Sequence, residues 1–458
     1  MENVNYDLAI IGGGAAGLVA GVAAGAVGAR TVMLEKEERL GGECSWTGCV
    51  PSKALIHQAH LASRSGSSPE ENIMKKVREI ALKASKASKA RGLLDSYGVD
   101  IYHGSPQFKD NHTLVLDDDT VIRAKKFILC TGSSARLPKI EGLKEGYLTN
   151  SNVWDLPALP ESLLIIGGGP IGTEMAQAFH RLGVQVILLH SRDRLLPRDD
   201  RELAGELTDL LLREEVDIRL NTRINKVVKK DQSWEIETGG EKLSGRYLLV
   251  ALGRQANTEG LNLEAAGVKY SEENIVVDKY MRTTARNIWA AGDCTGSPRF
   301  SHIAEIEAKA AVRNALFPFN SGVDYQGNPW ATFTDPEMAH LGLTEEECKE
   351  RGYRYRVYRQ EFSGDDRAIT DDVAKGQVKI IASPYGKLLG VHILGPRAGE
   401  LLTEFTLARR RGLRLHEIGL TVHVYPTLGM AAQRATDDWF SEIVDKPLLK
   451  PIIKILRR

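Results

Sequence analysis

Asp7-Leu8-Ala9-Ile10-Ile11-Gly12-Gly13-Gly14-Ala15-Ala16-Gly17 decides the fold of this 458-residue chain. Asp7 to Ile11 is a short apolar run, the pattern of a parallel strand buried on both faces. Gly12, Gly14 and Gly17 then turn it into a helix that opens on Ala15 and Ala16 and is predicted to run through Ala23. Such a turn brings backbone N–H groups and a helix N-terminus up to a phosphate. The next apolar run, Thr31-Val32-Met33-Leu34, ends in Glu35 and Lys36. An acid about 20 residues beyond the glycines is placed to accept both hydroxyls of an adenosine ribose. A lone Gly-x-Gly-x-x-Gly is weak; with strand, helix and acid it is specific.

The device occurs twice. Leu163-Leu164-Ile165-Ile166 leads into Gly167-Gly168-Gly169-Pro170-Ile171-Gly172. Its second strand, Val186 to Leu189, ends differently, in His190-Ser191-Arg192-Asp193-Arg194. No carboxylate takes the ribose position. Arg192, Arg194 and Arg198 favour a 2′-phosphate over a 2′-hydroxyl, hence NADPH over NADH. The alternative is that these arginines cap the helix that starts at Asp199-Asp200.

Between the two loops lies Gly41-Gly42-Glu43-Cys44-Ser45-Trp46-Thr47-Gly48-Cys49-Val50-Pro51-Ser52-Lys53. Structural zinc sites usually show shorter cysteine spacings and a second pair elsewhere. This spacing suits a reversible disulfide at the first turn of a helix, whose partial positive charge stabilises a thiolate. Pro51 suits an early helical position, where its missing N–H matters little. A nucleotide loop beside a switchable disulfide means that electrons enter from a cofactor and leave through sulfur.

On these residues the sequence resembles the pyridine nucleotide–disulfide oxidoreductases, which include dihydrolipoamide dehydrogenase, glutathione reductase and mercuric reductase. Shorter signals support the resemblance in the family's order. They are Leu129-Cys130-Thr131-Gly132, Ala251-Leu252-Gly253-Arg254, Ala290-Ala291-Gly292-Asp293 and, near the C-terminus, Thr334 to Glu337, Gly395 to Glu400 and His423 to Thr427. The implied fold is α/β, with two Rossmann-like dinucleotide-binding domains for FAD and NAD(P) and a C-terminal α+β dimerisation domain. The expected boundaries are 1–152 and 281–328 for the FAD domain, 153–280 for the NAD(P) domain and 329–458 for the interface domain. A homodimer follows, because members of this family borrow active-site residues from the partner. Gly42, Glu43, Gly48, Thr131, Gly132, Gly253, Arg254, Gly292 and Asp293 join the two glycine loops as expected cofactor-binding residues.

The resemblance also implies roles. NADPH gives hydride to the flavin, which passes two electrons to the disulfide. Cys49 is the sulfur beside the flavin, and Cys44 is the outer sulfur that exchanges with substrate. Lys53 pairs with Glu174 and places positive charge near the flavin. The departure lies at Tyr425-Pro426-Thr427-Leu428-Gly429-Met430, where thiol–disulfide members carry His-Pro-Thr-x-x-Glu as the acid/base dyad. Both dyad residues are absent, and a phenol with a pKa of about 10 is a poor base at neutral pH. His423 is the only histidine nearby. Mercuric reductases carry Tyr at this place, and Trp46-Thr47-Gly48 looks like that branch. They also use paired C-terminal cysteines and a Cys-x-x-Cys module, whereas here no cysteine follows Cys348. Three targets remain: a small or protein-bound (lipoyl) disulfide or thiol, a soft metal ion or other electrophile, or a redox-sensing role with little turnover.

Bulk features narrow the partners. Lys+Arg and Asp+Glu balance at 60 each, so there is no basic field for nucleic acid. Cys130, Cys294 and Cys348 read as small buried hydrophobes, and no resident metal site is expected. The first strand begins almost at once, and no apolar run reaches the length of a span, so a cytoplasmic, reducing setting is expected. Residues 65–71 read as a surface loop, 72–90 as one basic helix with a solvated face, and 439–458 as a basic terminal helix packed on the dimer.

Overall fold

In the computed structural model, which describes residues 5–66, 72–84, 87–136, 138–296, 298–325, 327–444 and 455, the strand Asn5–Ile11 pairs in parallel with Thr31–Glu35 and with Val121–Leu129. Leu8, Ala9 and Ile10 are fully buried, as a strand covered on both faces requires. Helix α1 (Ala15–Ala26) makes the first crossover, three residues longer than expected. Between Thr31–Glu35 and the next parallel strand, Val99–His103, lie α2 (Gly42–Trp46), α3 (Cys49–Ser65), α4 (Ile73–Ala84) and α5 (Ala87–Ser96). The stretch expected as one helix over 72–90 is therefore two helices, the second running on to Ser96. Nor is it merely a solvated face. Ile73, Met74, Val77 and Ala81 form a buried stripe at helical spacing, and Arg78 donates to the Trp154 and Leu156 carbonyls.

The second glycine loop sits on a fully parallel sheet ordered Asp217–Arg219, Gln185–Leu189, Ser162–Ile166, Tyr247–Val250. Helix α6 (Pro170–Arg181) follows Ser162–Ile166, and α7 (Arg201–Arg213) follows Gln185–Leu189. The chain then returns: Ile288–Ala290 pairs in parallel with Val121–Leu129, and α8 (Ser301–Leu316) packs on α1.

From Pro329 the pattern turns antiparallel. Five strands are ordered Pro329–Thr332, Glu337–Gly342, Leu388–Gly395, Gln377–Ala382, Arg356–Glu361. Around them lie α9 (Glu345–Glu350), α10 (Asp366–Thr370), α11 (Ala398–Arg411), α12 (Leu415–Gly419) and α13 (Gly429–Val444). Side chains alternate with period two. Val378, Ile380, Val391 and Ile393 join a core with Leu402, Phe405 and Trp439. Lys379, His392 and His340 take the other face, toward α7. A first sheet with a parallel core and an antiparallel edge (Gln107–Asp110 and Thr113–Val115), a fully parallel second sheet and an antiparallel α+β layer make the expected fold class. Residues 67–71 of the expected loop and nearly all of the basic tail beyond 444 lie outside the described residues. Among those described, no helix is long and apolar enough to cross a membrane.

Candidate active site

Glycine is required where the two cradles and the cysteine segment touch. A Cβ on Gly17 would lie 1.8 Å from the Gly12 carbonyl oxygen, and one on Gly172 would lie 1.8 Å from that of Gly167. The Gly41 N–H donates to the Gly13 carbonyl at 2.9 Å, and a Cβ on Gly42 would lie 2.8 Å from Gly14 Cα. The redox segment is thereby latched to the first phosphate loop. Both α1 and α6 begin at a glycine, Gly14 and Gly169, with no side-chain oxygen capping the first turn; Pro170 opens α6. A helix start left in that state offers its N–H groups to an anion. Around a Cβ on Gly169 or Gly253 there is nothing within 4 Å. These cradles fit two dinucleotide pyrophosphates.

The acid and its counterpart differ in chemistry but share a place. Glu35 is buried, with Oε2 accepting from the Gly13 N–H at 2.6 Å and Oε1 from the Glu37 N–H at 3.0 Å. In the second cradle His190 Nδ1 accepts from the Gly168 N–H at 3.2 Å, and its buried Nε2 has no partner among the described residues. Burial and then Arg192 hold this imidazole below its ordinary pKa, so it stays neutral. Ser191, Arg192 and Arg198 are exposed along the same large cavity, as is Lys36 along the first cradle. Arg194, which is only part-exposed, differs from Arg192 and Arg198. It pairs with Glu346 at 2.9 Å and donates to the Pro197 carbonyl, so its guanidinium is already engaged within the chain. The helix cap proposed for the arginines is supplied instead by Asp200, whose carboxylate accepts from the Leu203 N–H.

Three distant segments converge beside the redox segment. Arg254 pairs with Glu43, donates to Ser133 Oγ at 2.7 Å and lies 3.6 Å from Asp293. Ser133 donates to Asp293 at 2.6 Å. Thr131 Oγ1 donates to the Asn257 carbonyl, and Asn257 N–H to that of Gly132. Ala15, Ala16, Gly48, Ile171 and Gly292 complete the wall of the same cavity.

Cys44 sits in α2 and Cys49 is the first residue of α3; both are free thiols. Their mutual hydrogen bond draws the Cys49 thiol down to about 6 against burial, with Ser301 and Lys53 lowering it further. The same hydrogen bond, then burial, pushes Cys44 up. One proton shared by two sulfurs leaves the thiolate on Cys49. Ser301, the first residue of α8, donates Oγ to Cys44 Sγ at 3.1 Å and lies 3.7 Å from Cys49 Sγ. Sequence reasoning missed it, since a serine opening a helix carries no redox signature. Ser301→Ala should raise the Cys49 midpoint by about one unit, read from the pH dependence of alkylation; an unmoved midpoint would remove the hydroxyl from the thiolate's environment.

Lys53 Nζ reaches Glu174 at 3.1 and 2.9 Å and lies 4.3 Å from the Phe333 ring centroid. Glu174 is only 5% exposed and also accepts from the Phe333 N–H at 2.8 Å. Tyr425 and His423 stand apart, and neither hydrogen-bonds to the cysteine pair of its own chain. Tyr425 is 65% exposed. A histidine–glutamate contact does exist, between His423 and a residue the sequence did not single out, Glu404. His423 Nε2 lies 3.0 Å from both Glu404 carboxylate oxygens, and Nδ1 lies 2.8 Å from the Thr421 carbonyl. Among the described residues no group of three or more His, Cys, Asp or Glu is placed to hold a metal.

Two dinucleotide cradles that open on one dithiol, backed by a lysine–glutamate pair whose carboxylate is buried, define a class of enzyme that moves an electron pair between nucleotide and sulfur. The chain belongs to the pyridine nucleotide–disulphide oxidoreductase family: its model matches residues 6–308, and the family's dimerisation-domain model matches residues 328–436. The chain is 35% identical to a mercuric reductase of Streptomyces lividans, with 96% of this chain and 98% of that one covered. It is 35% identical to a dihydrolipoyl dehydrogenase of Thermus scotoductus, covering 94% and 97%. Among solved structures, the Cu(II) complex of the HOCl-induced flavoprotein disulfide reductase RclA from Escherichia coli superposes with a TM-score of 0.88 at 27% identity, covering 96% and 100%. The chain is thus an FAD-dependent oxidoreductase that uses a pyridine nucleotide.

Proposed function

We propose that this enzyme is an NADPH-preferring reductase that works through Cys44–Cys49 on a small or protein-bound disulfide. The observation that carries this reading is geometric: Cys44 on α2 and Cys49 at the start of α3 are free thiols that both face Ser301 Oγ, at 3.1 and 3.7 Å, with the Lys53–Glu174 pair one helical turn on. Bound FAD supplies the relay between a nucleotide hydride and the sulfur electron pair. The rest is done by the chain. The Gly12–Gly17 and Gly167–Gly172 turns hold the two pyrophosphates, Glu35 takes the ribose of the first nucleotide, and Arg192 and Arg198 take a 2′-phosphate of the second. Lys53 and Ser301 hold the thiolate at Cys49. Cys44 is the sulfur that enters exchange with substrate, and it must first give up the proton it holds, since the thiolate is the attacking form. The domain division at 152, 280 and 328 follows the return of the chain to the first sheet. Two copies, joined through the 329–458 region, give each cleft the partner's 420–430 segment. A cytoplasmic setting suits a dithiol that must stay reducible.

The nucleotide preference has a direct check. Arg192→Glu should lower kcat/KM for NADPH about tenfold or more and spare NADH; equal loss with both nucleotides would reject the preference.

A second reading is reduction of a soft metal ion at the same pair. It is favoured by Tyr425, a phenol exposed without a partner among the described residues, and by relatives named for mercury and in complex with Cu(II). Turnover of a panel of disulfides and of Hg(II) or Cu(II) decides between the two. Tyr425→Phe should depress metal reduction and spare a reactive disulfide if Tyr425 serves metal chemistry; if neither rate changes, the metal reading loses its main support.

A further inference from the structure

One line of side chains on the C-terminal sheet reaches into the turn that follows the second dinucleotide strand. Register sets Trp330 opposite His340, His340 opposite His392, His392 opposite Lys379 and Lys379 opposite Arg359. The row thus crosses all five strands on one face. Trp330 Nε1 donates to Asp199 Oδ1 at 2.9 Å. Lys379 donates to both Asp200 oxygens at 2.9 and 3.0 Å and to Glu202 at 2.7 Å. Arg359 grips the same Glu202 with bonds of 3.0 and 2.8 Å. Asp199, Asp200 and Lys379 are 3, 1 and 1% exposed. Within four residues, three acids are thereby tied to another part of the molecule.

The turn's exposed side is where the second nucleotide's cavity lies. Arg198, next to Asp199, is exposed along that cavity, and so is Arg192. The turn itself is held to the glycine loop by the Leu196 N–H donating to the Gly168 carbonyl at 2.8 Å. Leu196 adopts φ +47, a left-handed conformation unfavourable for leucine that the surrounding contacts must maintain. Trp330 is stacked on His340 with centroids 3.6 Å apart and an interplanar angle of 12°. Any aromatic ring would satisfy that stacking; only the indole N–H reaches the buried carboxyl.

We propose that Trp330, acting through Asp199, is a positioning residue for nucleotide specificity: the C-terminal sheet fixes the 190–200 turn so that Arg198 meets the phosphate on the adenosine ribose. This rests on the NADPH reading above. The test titrates the full-length holoprotein with adenosine 2′,5′-bisphosphate and, separately, with ADP by calorimetry, and follows NADPH and NADH kinetics and melting alongside. Trp330→Phe keeps the stack and loses the N–H. It should weaken bisphosphate binding and raise the NADPH KM about fivefold, with kcat, ADP affinity, NADH KM and melting temperature held. Asp199→Ala should reproduce that loss, whereas Asp199→Asn keeps an acceptor for the indole and should retain affinity. A wild-type protein that binds ADP as tightly as the bisphosphate overturns the NADPH reading, and the proposal with it. A wild type that prefers the bisphosphate, beside a Trp330→Phe variant with unchanged affinity, overturns the proposal alone. Parallel loss of both ligands with a lower melting temperature also overturns it, as a purely structural effect.

Discussion

Cys49→Ser is expected to lower disulfide turnover about a thousandfold or more while leaving nucleotide binding in place. The Cys49 position cannot be served by a hydroxyl. Serine is not ionised at neutral pH, whereas the Cys49 thiol is drawn down to about 6 by the Cys44 hydrogen bond, Ser301 and Lys53. NADPH should still bleach the flavin of this variant, because both glycine cradles are untouched, but no long-wavelength band should appear. Cys44→Ser should behave differently. A serine hydroxyl can still donate to Cys49, so the remaining thiolate should show the band before any reductant is added. Because the Cys49 pKa is depressed, that band belongs to the deprotonated form. It should be present above the Cys49 midpoint of the variant and fade as pH falls through it. Rapid-mixing absorbance on the two variants checks both statements; similar spectra would dissolve the distinction between the sulfurs.

Lys53→Met is the second large effect. Glu174 is 5% exposed and Lys53 is the cation that faces it, at 2.9 Å. Removing one member of such a pair leaves an uncompensated buried charge, a loss on the order of 3–5 kcal/mol. The Cys49 midpoint should rise as well, because Lys53 favours its thiolate. Loss of a preorganised charge at the reacting centre should slow nucleotide-driven reduction about a hundredfold. The double variant Lys53→Met with Glu174→Gln separates the two effects. It should regain most of the stability, seen in urea unfolding, and none of the rate. If rate and stability recover together, the pair is structural and not part of the redox centre.

The two cradles were legible because their constraint is local. A side chain on Gly17 or Gly172 would collide with the turn's own backbone, so the sequence must show glycine there. The Cys44–Cys49 segment was legible for the same reason: its chemistry is written within one short run. What could not be read depends on contacts across the chain. Ser301 meets Cys44 from 257 residues away, and Trp330 meets Asp199 from 131. Neither belongs to a periodic pattern. Arg194 looked equivalent to Arg192 because only spacing was visible; its ion pair with Glu346 lies 152 residues on. His423 was noticed, but Glu404, on α11, was not, since nothing in the run of α11 marks one glutamate among its neighbours. His190 shows the limit from the other side. Its position matched Glu35, yet a histidine whose Nδ1 accepts the loop N–H is a different hydrogen-bonding partner from a carboxylate.

The central claim is that electrons from a pyridine nucleotide reach the Cys44–Cys49 pair. Anaerobic reduction of the purified holoprotein, with NADPH and separately with NADH, tests it in one spectrum. The expected result is a long-wavelength charge-transfer band after two electrons, formed faster with NADPH and lost in Cys49→Ser. Bleaching of the flavin with no such band at any stage would contradict the claim, since the dithiol would then stand outside the path of the electrons.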